Sequence, residues 1–179
     1  MSALVKVPHR EDVSVANQAL FDKLEAALGR VPNLYATFAH SEPALANYLA
    51  LQYARSSIAG KAREVVNLVA SQVNACEYCL AAHTAVGRAQ GFDELQLIEI
   101  RCGRASFDPR LDALARLTYD IVERRGHADP AVVDAFFAAG WTPANLVDVI
   151  VAIGDKTITN YLHATTRVPV DFPPAPVLA

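Results

Sequence analysis

Apolar residues recur along most of the chain at the three- and four-residue spacing of an amphipathic helix. The clearest stripe is formed by Leu111, Leu114, Ala115, Leu117, Thr118, Ile121 and Val122. Spacing of this kind places apolar side chains on one face of a helix rather than on alternate faces of a strand. The pattern predicts nine helices, over residues 13–28, 33–39, 43–58, 61–73, 75–90, 93–102, 109–125, 130–138 and 143–165.

Proline and glycine mark the ends of these helices. Four segments place a capping residue just before a proline that suits a first helical turn: 41–43, 108–109, 129–130 and 142–143. Glycines stand where helices are expected to stop, at Gly29, Gly60, Gly91, Gly126 and Gly140. The combination predicts an all-α fold.

Residues 146–153 are nearly all apolar, and by length alone they also suit a buried strand. The cap at Thr142 and the alanine-rich surroundings favour a buried helix instead. Trp141, just before this helix, is expected to anchor the core.

The composition indicates one globular domain over residues 1–179. The chain is 53% hydrophobic and 20% charged, and 179 residues are enough to bury a proper core. Its net charge is −3 and its basic residues are scattered, which argues against nucleic acid as the main partner. No apolar run reaches the length of a membrane span, and the first residues lack a signal-peptide layout. These features predict no membrane partner and a cytoplasmic location.

The last segment, 168–179, contains four prolines and must be extended. Its apolar residues, which include Val170 and Phe172, are expected to cover a surface, such as that of a neighbouring subunit. This tail and the apolar composition predict a homo-oligomer.

The most distinctive chemical feature is a pair of cysteines followed by a histidine. Cys76 and Cys79 are three residues apart, and in a helix their α-carbons would be roughly 5–6 Å apart, which is compatible with a reversible disulfide. His83 lies four residues after Cys79, on the same helical face. Asn74 and Glu77 have the spacing of a capping box, which would put Cys76 in the first helical turn, where the dipole favours a thiolate.

Glu64 joins this group if the chain reverses near Asn74. The helix over 61–73 would then pack antiparallel against the cysteine helix, with axes about 8–10 Å apart. Glu64 and His83 are almost equidistant from the reversal and would face each other, so that the carboxylate orients the imidazole and raises its basicity. A straight helix would instead leave Glu64 about 18 Å from Cys76.

Together, Glu64, Cys76, Cys79 and His83 resemble the E-x11-C-x-x-C-x-x-x-H signature of alkylhydroperoxidase AhpD-like proteins, members of the carboxymuconolactone decarboxylase superfamily. The likeness extends over most of the chain and includes residues 31–34, 140–143, 160–161 and 168–173. It implies an AhpD-like helical fold with the C-x-x-C at the start of a core helix, and assembly into a dimer, trimer or hexamer.

The resemblance also implies a reaction. Cys79 would attack a hydroperoxide, Cys76 would resolve the product, and Glu64 and His83 would form a proton relay. An external dithiol or thiol protein would restore the thiols, and no flavin or nicotinamide motif is present to supply electrons. Two points depart from this scheme. The cap argument favours Cys76 as the thiolate, and Tyr78 stands where well-characterised relatives often carry a second histidine.

Other interpretations remain open from the sequence. Cys76, Cys79, His83 and Glu64 could hold zinc in a binding module, or both cysteines could simply pack in a core. The fold could serve a decarboxylase-like acid–base enzyme, which would not need two thiols, or a non-enzymatic redox sensor. Cys102, the third cysteine, is expected to be a core thiol.

Overall fold

The computed structural model describes residues 3–178 and contains nine α-helices with no strand in that range. The helices are α1 (Val15–Leu28), α2 (Asn33–Phe38), α3 (Glu42–Gln52), α4 (Lys61–Val73), α5 (Glu77–Ala89), α6 (Glu94–Arg101), α7 (Pro109–Glu123), α8 (Pro130–Ala138) and α9 (Pro143–Thr166). A short 3-10 turn, Arg10–Asp12, precedes α1. The predicted all-α class is therefore confirmed.

Several predicted helix ends are confirmed by hydrogen bonds. Asp108 and Asp129 accept backbone N–H groups of the turns they precede, with Pro109 and Pro130 in the first turn. Gly29 ends α1 in the left-handed conformation, with φ of 75°, and its N–H bonds to the carbonyl of Glu25.

The contacts divide the chain into two compact units, Met1–Arg55 with Tyr161–Asp171, and Ser56–Asn160 with Phe172–Ala179. The expectation of a single domain stays a prediction. In the first unit, α1, α2 and α3 enclose a small core of five buried residues: Phe21, Leu24, Ala36, Ala39 and Leu45.

The second unit has the larger core, and α4 is at its centre. Helix α4 packs against α5, α6 and α7, and seven of its residues from Val65 to Ser71 are fully or almost fully buried. Trp141 is buried here, stacked on Phe136, and its indole N–H bonds to the carbonyl of Arg110. The prediction of Trp141 as a core anchor is confirmed.

The predicted helix over 43–58 is too long, since α3 ends at Gln52. Beyond it, the backbone N–H and the hydroxyl of Ser57 both bond to the Asp148 carboxylate, at 2.6 and 2.7 Å. Ile58 is then buried in the core of the second unit. Residues 53–58 are therefore held by the bonds to Asp148 and by the burial of Ile58, and they do not form the helical turns that local spacing predicted.

Residues 146–153 are helical, as predicted, but this segment of α9 is buried on one face only. Val149, Ala152 and Ile153 are buried, whereas Val147 and Ile150 are 59% and 53% exposed. Because this segment is nearly all apolar, the sequence predicts a fully buried helix. The structure of the single chain buries only one side of it.

Residues 168–178 have neither helix nor strand, as expected for the proline-rich tail, and residue 179 lies outside the described part. Within residues 3–178, no single helix has both the length and the apolar character to cross a membrane. Helices α8 and α9 meet those criteria only when taken together, across a 120° bend.

Candidate functional site

The chain reverses direction between α4 and α5, at the point that the sequence analysis identified. Asn74 ends α4, Ala75 takes a positive φ of 51°, and the N–H of Cys76 bonds to the carbonyl of Ser71 at 2.9 Å. This tight turn makes α4 and α5 a helical hairpin. The predicted hairpin is confirmed.

The cap of α5 differs from the prediction. Cys76, not Asn74, is the N-cap, and its sulfur accepts a hydrogen bond from the backbone N–H of Cys79 at 3.3 Å. Asn74 closes α4 instead and donates its side-chain amide to Asn160 at 2.9 Å. The helix N-terminus therefore donates a backbone N–H to the sulfur of Cys76, as the cap argument expected, although through a different capping residue.

Glu64 and His83 meet across the hairpin. The Nδ1 of His83 lies 2.8 Å from Oε2 of Glu64, and the amide of Asn67 donates to the other carboxylate oxygen at 2.8 Å. Burial alone would raise the pKa of Glu64. The imidazole, the Asn67 amide and the nearby Lys156 lower it more, so the net pKa of Glu64 lies below its usual value.

The two thiols are buried but electrostatically unlike. Cys76 is 0% exposed and Cys79 is 3% exposed. A hydrogen bond from the Cys76 thiol lowers the pKa of Cys79, burial opposes this, and Lys156, His83 and Asn160 lower it further, to about 6. The same thiol–thiol bond, together with burial, raises the pKa of Cys76. These shifts favour Cys79 over Cys76 as the thiolate of the pair, against the direction of the cap argument.

Asn160 on α9 completes the surroundings of the cysteines. Its side chain is fully buried and hydrogen-bonds to both sulfur atoms and, at 3.3 Å, to the hydroxyl of Ser71. Its oxygen accepts the Asn74 amide. The Asn160 amide thus lies between Ser71 and the two sulfur atoms, where it lowers the pKa of each thiol.

Lys156, a further residue of the cluster that the sequence did not predict, also comes from α9. Its Nζ lies 3.2 Å from Nε2 of His83, and the side chain is 3% exposed. The adjacent Asp155 is paired with Arg63 of α4. The sequence does offer a signal for this residue, because Asp155 and Lys156 directly follow an apolar run. Charged residues at a buried position usually have a specific partner, so such a pair indicates a functional or structural contact.

Tyr78, between the cysteines, is buried and packs edge-on against Phe172, with ring centroids 5.6 Å apart. The carbonyl of Pro176 accepts a hydrogen bond from Arg101 at 2.5 Å. The tail thus packs against its own chain at Phe172 and Pro176, and these two residues need no neighbouring subunit as a surface.

Cys102 does not belong to the core. It is exposed at the end of α6, where the chain leaves the helix, and it plays no part in the site. The expectation of a core thiol is wrong because the residue falls one position beyond the buried face of α6. Among residues 3–178, no group of three or more His, Cys, Asp and Glu side chains is arranged to hold a metal ion.

A cavity of about 420 Å³ lies in the first unit, lined by residues such as Lys6, Asn17 and His40. None of the four predicted site residues contributes to it. The two cysteines are buried within the cluster of side chains described above.

Comparison with known structures gives the same fold. An AhpD core structure, an uncharacterized peroxidase-related protein from Ralstonia eutropha JMP134, is 19% identical with a TM-score of 0.84, over 94% of this chain and 92% of that one. A peroxidase-related protein from Silicibacter sp. TM1040 is 20% identical with a TM-score of 0.79, over 93% and 91%.

A third similar structure is a cysteine-to-alanine variant of the debrominase Bmp8 in complex with 2,3,4-tribromopyrrole. It is 13% identical with a TM-score of 0.77, over 96% of this chain and 93% of that one. A search of curated protein sequences gave no match.

The family model of the carboxymuconolactone decarboxylase family matches residues 41–140, which is more than half of the chain and contains Glu64, Cys76, Cys79 and His83. The sequence signature, the helical hairpin and the shared fold agree with that match. The chain belongs to the carboxymuconolactone decarboxylase family and has an AhpD-like fold.

Proposed function

We propose that the protein is a thiol-dependent peroxidase that reduces hydroperoxides through Cys79 and Cys76, with Glu64 and His83 as its proton relay. The observation that carries the proposal is the unlike ionisation of the two thiols, since the pKa of Cys79 falls to about 6 and that of Cys76 rises. A thiolate is the nucleophilic form of cysteine. Once Cys79 is oxidised, the hydrogen bond that raises the pKa of Cys76 is lost, so Cys76 can give up its proton and resolve the oxidised product.

In the first step, the Cys79 thiolate attacks one oxygen of a hydroperoxide, ROOH. A sulfur–oxygen bond forms as the oxygen–oxygen bond breaks, so the sulfur loses two electrons and the peroxide gains them. The leaving alkoxide takes a proton from the relay and departs as the alcohol ROH. Cys79 is left as a sulfenic acid.

In the second step, the sulfur of Cys76 attacks the sulfenic acid of Cys79. A disulfide forms, and hydroxide leaves with the thiol proton of Cys76 as water. An external dithiol or thiol protein then gives two electrons and two protons to the disulfide and restores both thiols. A cycle that depends on such a reductant suits a cytoplasmic compartment.

Glu64 and His83 are suited to carry the proton because both are nearly buried and share one short hydrogen bond of 2.8 Å. The carboxylate orients the imidazole and stabilises the positive charge that it acquires when it takes a proton. The Asn67 amide holds the second oxygen of Glu64 in place.

Burial of the thiols restricts the oxidant. Cys79 exposes only 3% of its surface, and Cys76 exposes none. A small hydroperoxide reaches such a sulfur more readily than a bulky lipid hydroperoxide. We therefore propose small alkyl hydroperoxides and hydrogen peroxide as the substrate class.

The debrominase among the similar structures defines a competing substrate class. Reductive removal of bromine by a dithiol would convert R–Br and two thiols into R–H, HBr and a disulfide, so it would use the same cysteine pair. The buried pair suits both chemistries, but the alkylhydroperoxidase-like signature over Glu64 to His83 favours peroxide.

The test is a thiol titration before and after a pulse of one equivalent of peroxide, without oxygen or reductant. All proteins carry Cys102→Ser, because the exposed Cys102 would react independently. Two thiols should disappear from the parent and return with a dithiol. Cys79→Ser should consume no peroxide, and Cys76→Ser should leave a sulfenic acid on Cys79 that a trapping reagent labels.

The outcomes separate the alternatives. Label on Cys76 in the Cys79→Ser protein would reverse the two roles. One oxidation without turnover by any dithiol would indicate a redox sensor. A protein that ignores peroxide but releases bromide from 2,3,4-tribromopyrrole would be a dehalogenase, and acid–base activity that survives loss of both thiols would indicate a decarboxylase-like enzyme.

We also propose that the protein works as a homo-oligomer. Four apolar residues, here called the outer stripe, lie exposed along α9: Val147, Ile150, Val151 and Ile158. Their spacing places them on one face of the helix. The family likeness suggests assembly with further copies of the chain, and a second copy is the partner that we propose for this face.

A further inference from the structure

One buried charge in the site has no part in the thiol cycle described above, the side chain of Lys156 on α9. We propose that Lys156 is a positioning residue whose ammonium group holds Cys79 as a thiolate and fixes His83 in one tautomer. The inference deepens the proposed thiol peroxidase and rests on it, but its tests require no peroxide.

The tautomer follows from the two contacts of the imidazole. Lys156 Nζ lies 3.2 Å from Nε2 of His83, and a lysine ammonium donates hydrogen bonds but accepts none. The Nε2 atom must therefore accept, and the ring proton lies on Nδ1. From there it is donated to Glu64 at 2.8 Å. One tautomer satisfies both neighbours of the ring.

On its own helix, Lys156 has one carboxylate nearby, that of Asp155, and it shares this carboxylate with Arg63. Nζ lies 3.6 Å from Oδ2 of Asp155, and Arg63 bonds the same oxygen more closely. Lys156 and Asp155 are 3% and 1% exposed, so water compensates neither charge. A thiolate on Cys79 adds a negative charge to those of Asp155 and Glu64 near the ammonium, and the ammonium in turn favours the charged form of Cys79.

The arrangement of α5 and α9 supports this pairing. His83 lies one turn after Cys79 on α5, and Lys156 lies one turn before Asn160 on α9. Lys156 contacts His83, while Asn160 hydrogen-bonds to the sulfur of Cys79. Lys156 and Asn160 of α9 thus face His83 and Cys79 of α5 at the same spacing along the two helices. Neither Lys156 nor Asn160 reacts, but both act on the thiolate.

The pKa of Cys79 is consistent with this role. The hydrogen bond from Cys76 lowers it most, burial opposes, and the charge of Lys156 lowers it before those of His83 and Asn160. The other charged or titratable groups that face the cluster are Glu64 and Arg63 from α4 and Asp155 from α9.

The first test measures the pH dependence of Cys79 alkylation by iodoacetamide, followed peptide by peptide, in the parent, Lys156→Met and Lys156→Arg. In the parent the midpoint should lie at about 6. Lys156→Met should raise it by about one unit or more, the usual effect of removing an opposite charge, and Lys156→Arg should keep it near the parent value. Lys61→Met, at an exposed lysine of the same unit, is the control and should change nothing.

An unchanged midpoint in folded Lys156→Met would overturn the inference. So would an equal rise in Lys156→Arg, which would indicate that the lysine acts through packing alone. The Lys61→Met control shows whether the midpoint responds to the loss of any lysine charge or only to the loss of Lys156.

The second test uses the unmodified protein, so it holds even if Lys156→Met does not fold. Nitrogen NMR shifts of His83 at neutral pH should report a proton on Nδ1 and none on Nε2. A proton on Nε2 would overturn the inference. Because both readouts are taken without peroxide, they can succeed in a protein that lacks peroxidase activity, and the failure of one proposal is distinguishable from that of the other.

Discussion

Helices α7 and α9 both lie against the same core, but α9 buries a polar stretch in addition to its apolar residues. The buried face of α7 is apolar apart from Thr118, whose hydroxyl bonds to the carbonyl of Leu114 at 2.8 Å. The middle of α9 instead buries Asp155, Lys156, Thr159 and Asn160 and exposes the outer stripe. Helix α9 also buries Val149, Ala152 and Ile153, so only its stretch from Asp155 to Asn160 departs from the usual amphipathic pattern.

This difference separates stability from chemistry. Burying an apolar side chain stabilises the fold, whereas burying a charge costs free energy unless a partner compensates it. The polar residues of α9 are arranged around the Cys79 sulfur and His83, where a low dielectric environment strengthens their effect. We expect substitutions on α7 to change folding and substitutions at the site to change reactivity.

The largest expected effect is on stability. Leu114→Ala removes a fully buried side chain from α7 and should lower the free energy of unfolding by about 2–5 kcal/mol. Denaturant titration measures this change. The rate of peroxide consumption per folded molecule should stay near that of the parent, and a large loss of this rate would contradict the separation of roles.

The converse variants are Glu64→Gln and His83→Ala, which remove the proton relay. Each should slow the reaction with peroxide by about a hundredfold, the usual magnitude for loss of a general acid or base. Rapid-mixing kinetics at neutral pH, with circular dichroism as the control for folding, measures the effect. Full activity in both variants would show that the hydrogen-bonded pair of Glu64 and His83 has no part in the proton transfer.

The same contrast explains what the sequence could predict. The hairpin of α4 and α5 is local, so helical spacing and one reversal were enough to predict the contact between Glu64 and His83. Lys156 and Asn160 lie more than 70 residues further along the chain, and nothing in the spacing around the cysteines points to them. Their role depends on how α9 packs, which a single sequence does not encode as a local pattern.

The errors have equally physical causes. Asn74 is a good capping residue, but it closes α4, and the N-cap of α5 falls two residues later, at Cys76, after the reversal at Ala75. The predicted helix over 43–58 is longer than α3 because the bonds between Ser57 and Asp148 divert the chain after Gln52. Propensity is overridden here by tertiary contacts.

A smaller effect is expected from pH. Below about pH 6 the Cys79 sulfur gains its proton, so the rate constant with peroxide should fall about tenfold for each further unit, and above that pH it should level off. The pKa of Glu64 is lowered, so its carboxylate stays ionised across this range and does not cause the fall. Single-turnover rates over the acidic range measure the profile. A midpoint near 9.0, the ordinary value of a thiol, would contradict the assignment of Cys79 as the thiolate.

The smallest expected effect on the folded chain itself concerns the outer stripe. Ile150→Asp places a charge on an exposed face, so it should change the stability of an isolated chain by only about 0.5 kcal/mol. If a second copy covers this face, the same charge would be buried in an apolar interface, and the assembly should dissociate. Light scattering at low micromolar concentration measures the mass.

Leu95→Asp, at an exposed leucine on α6, is the matched control and should keep the parent mass. A parent protein that is already a monomer would reject the homo-oligomer, and an Ile150→Asp protein of unchanged mass would show that the copies meet elsewhere.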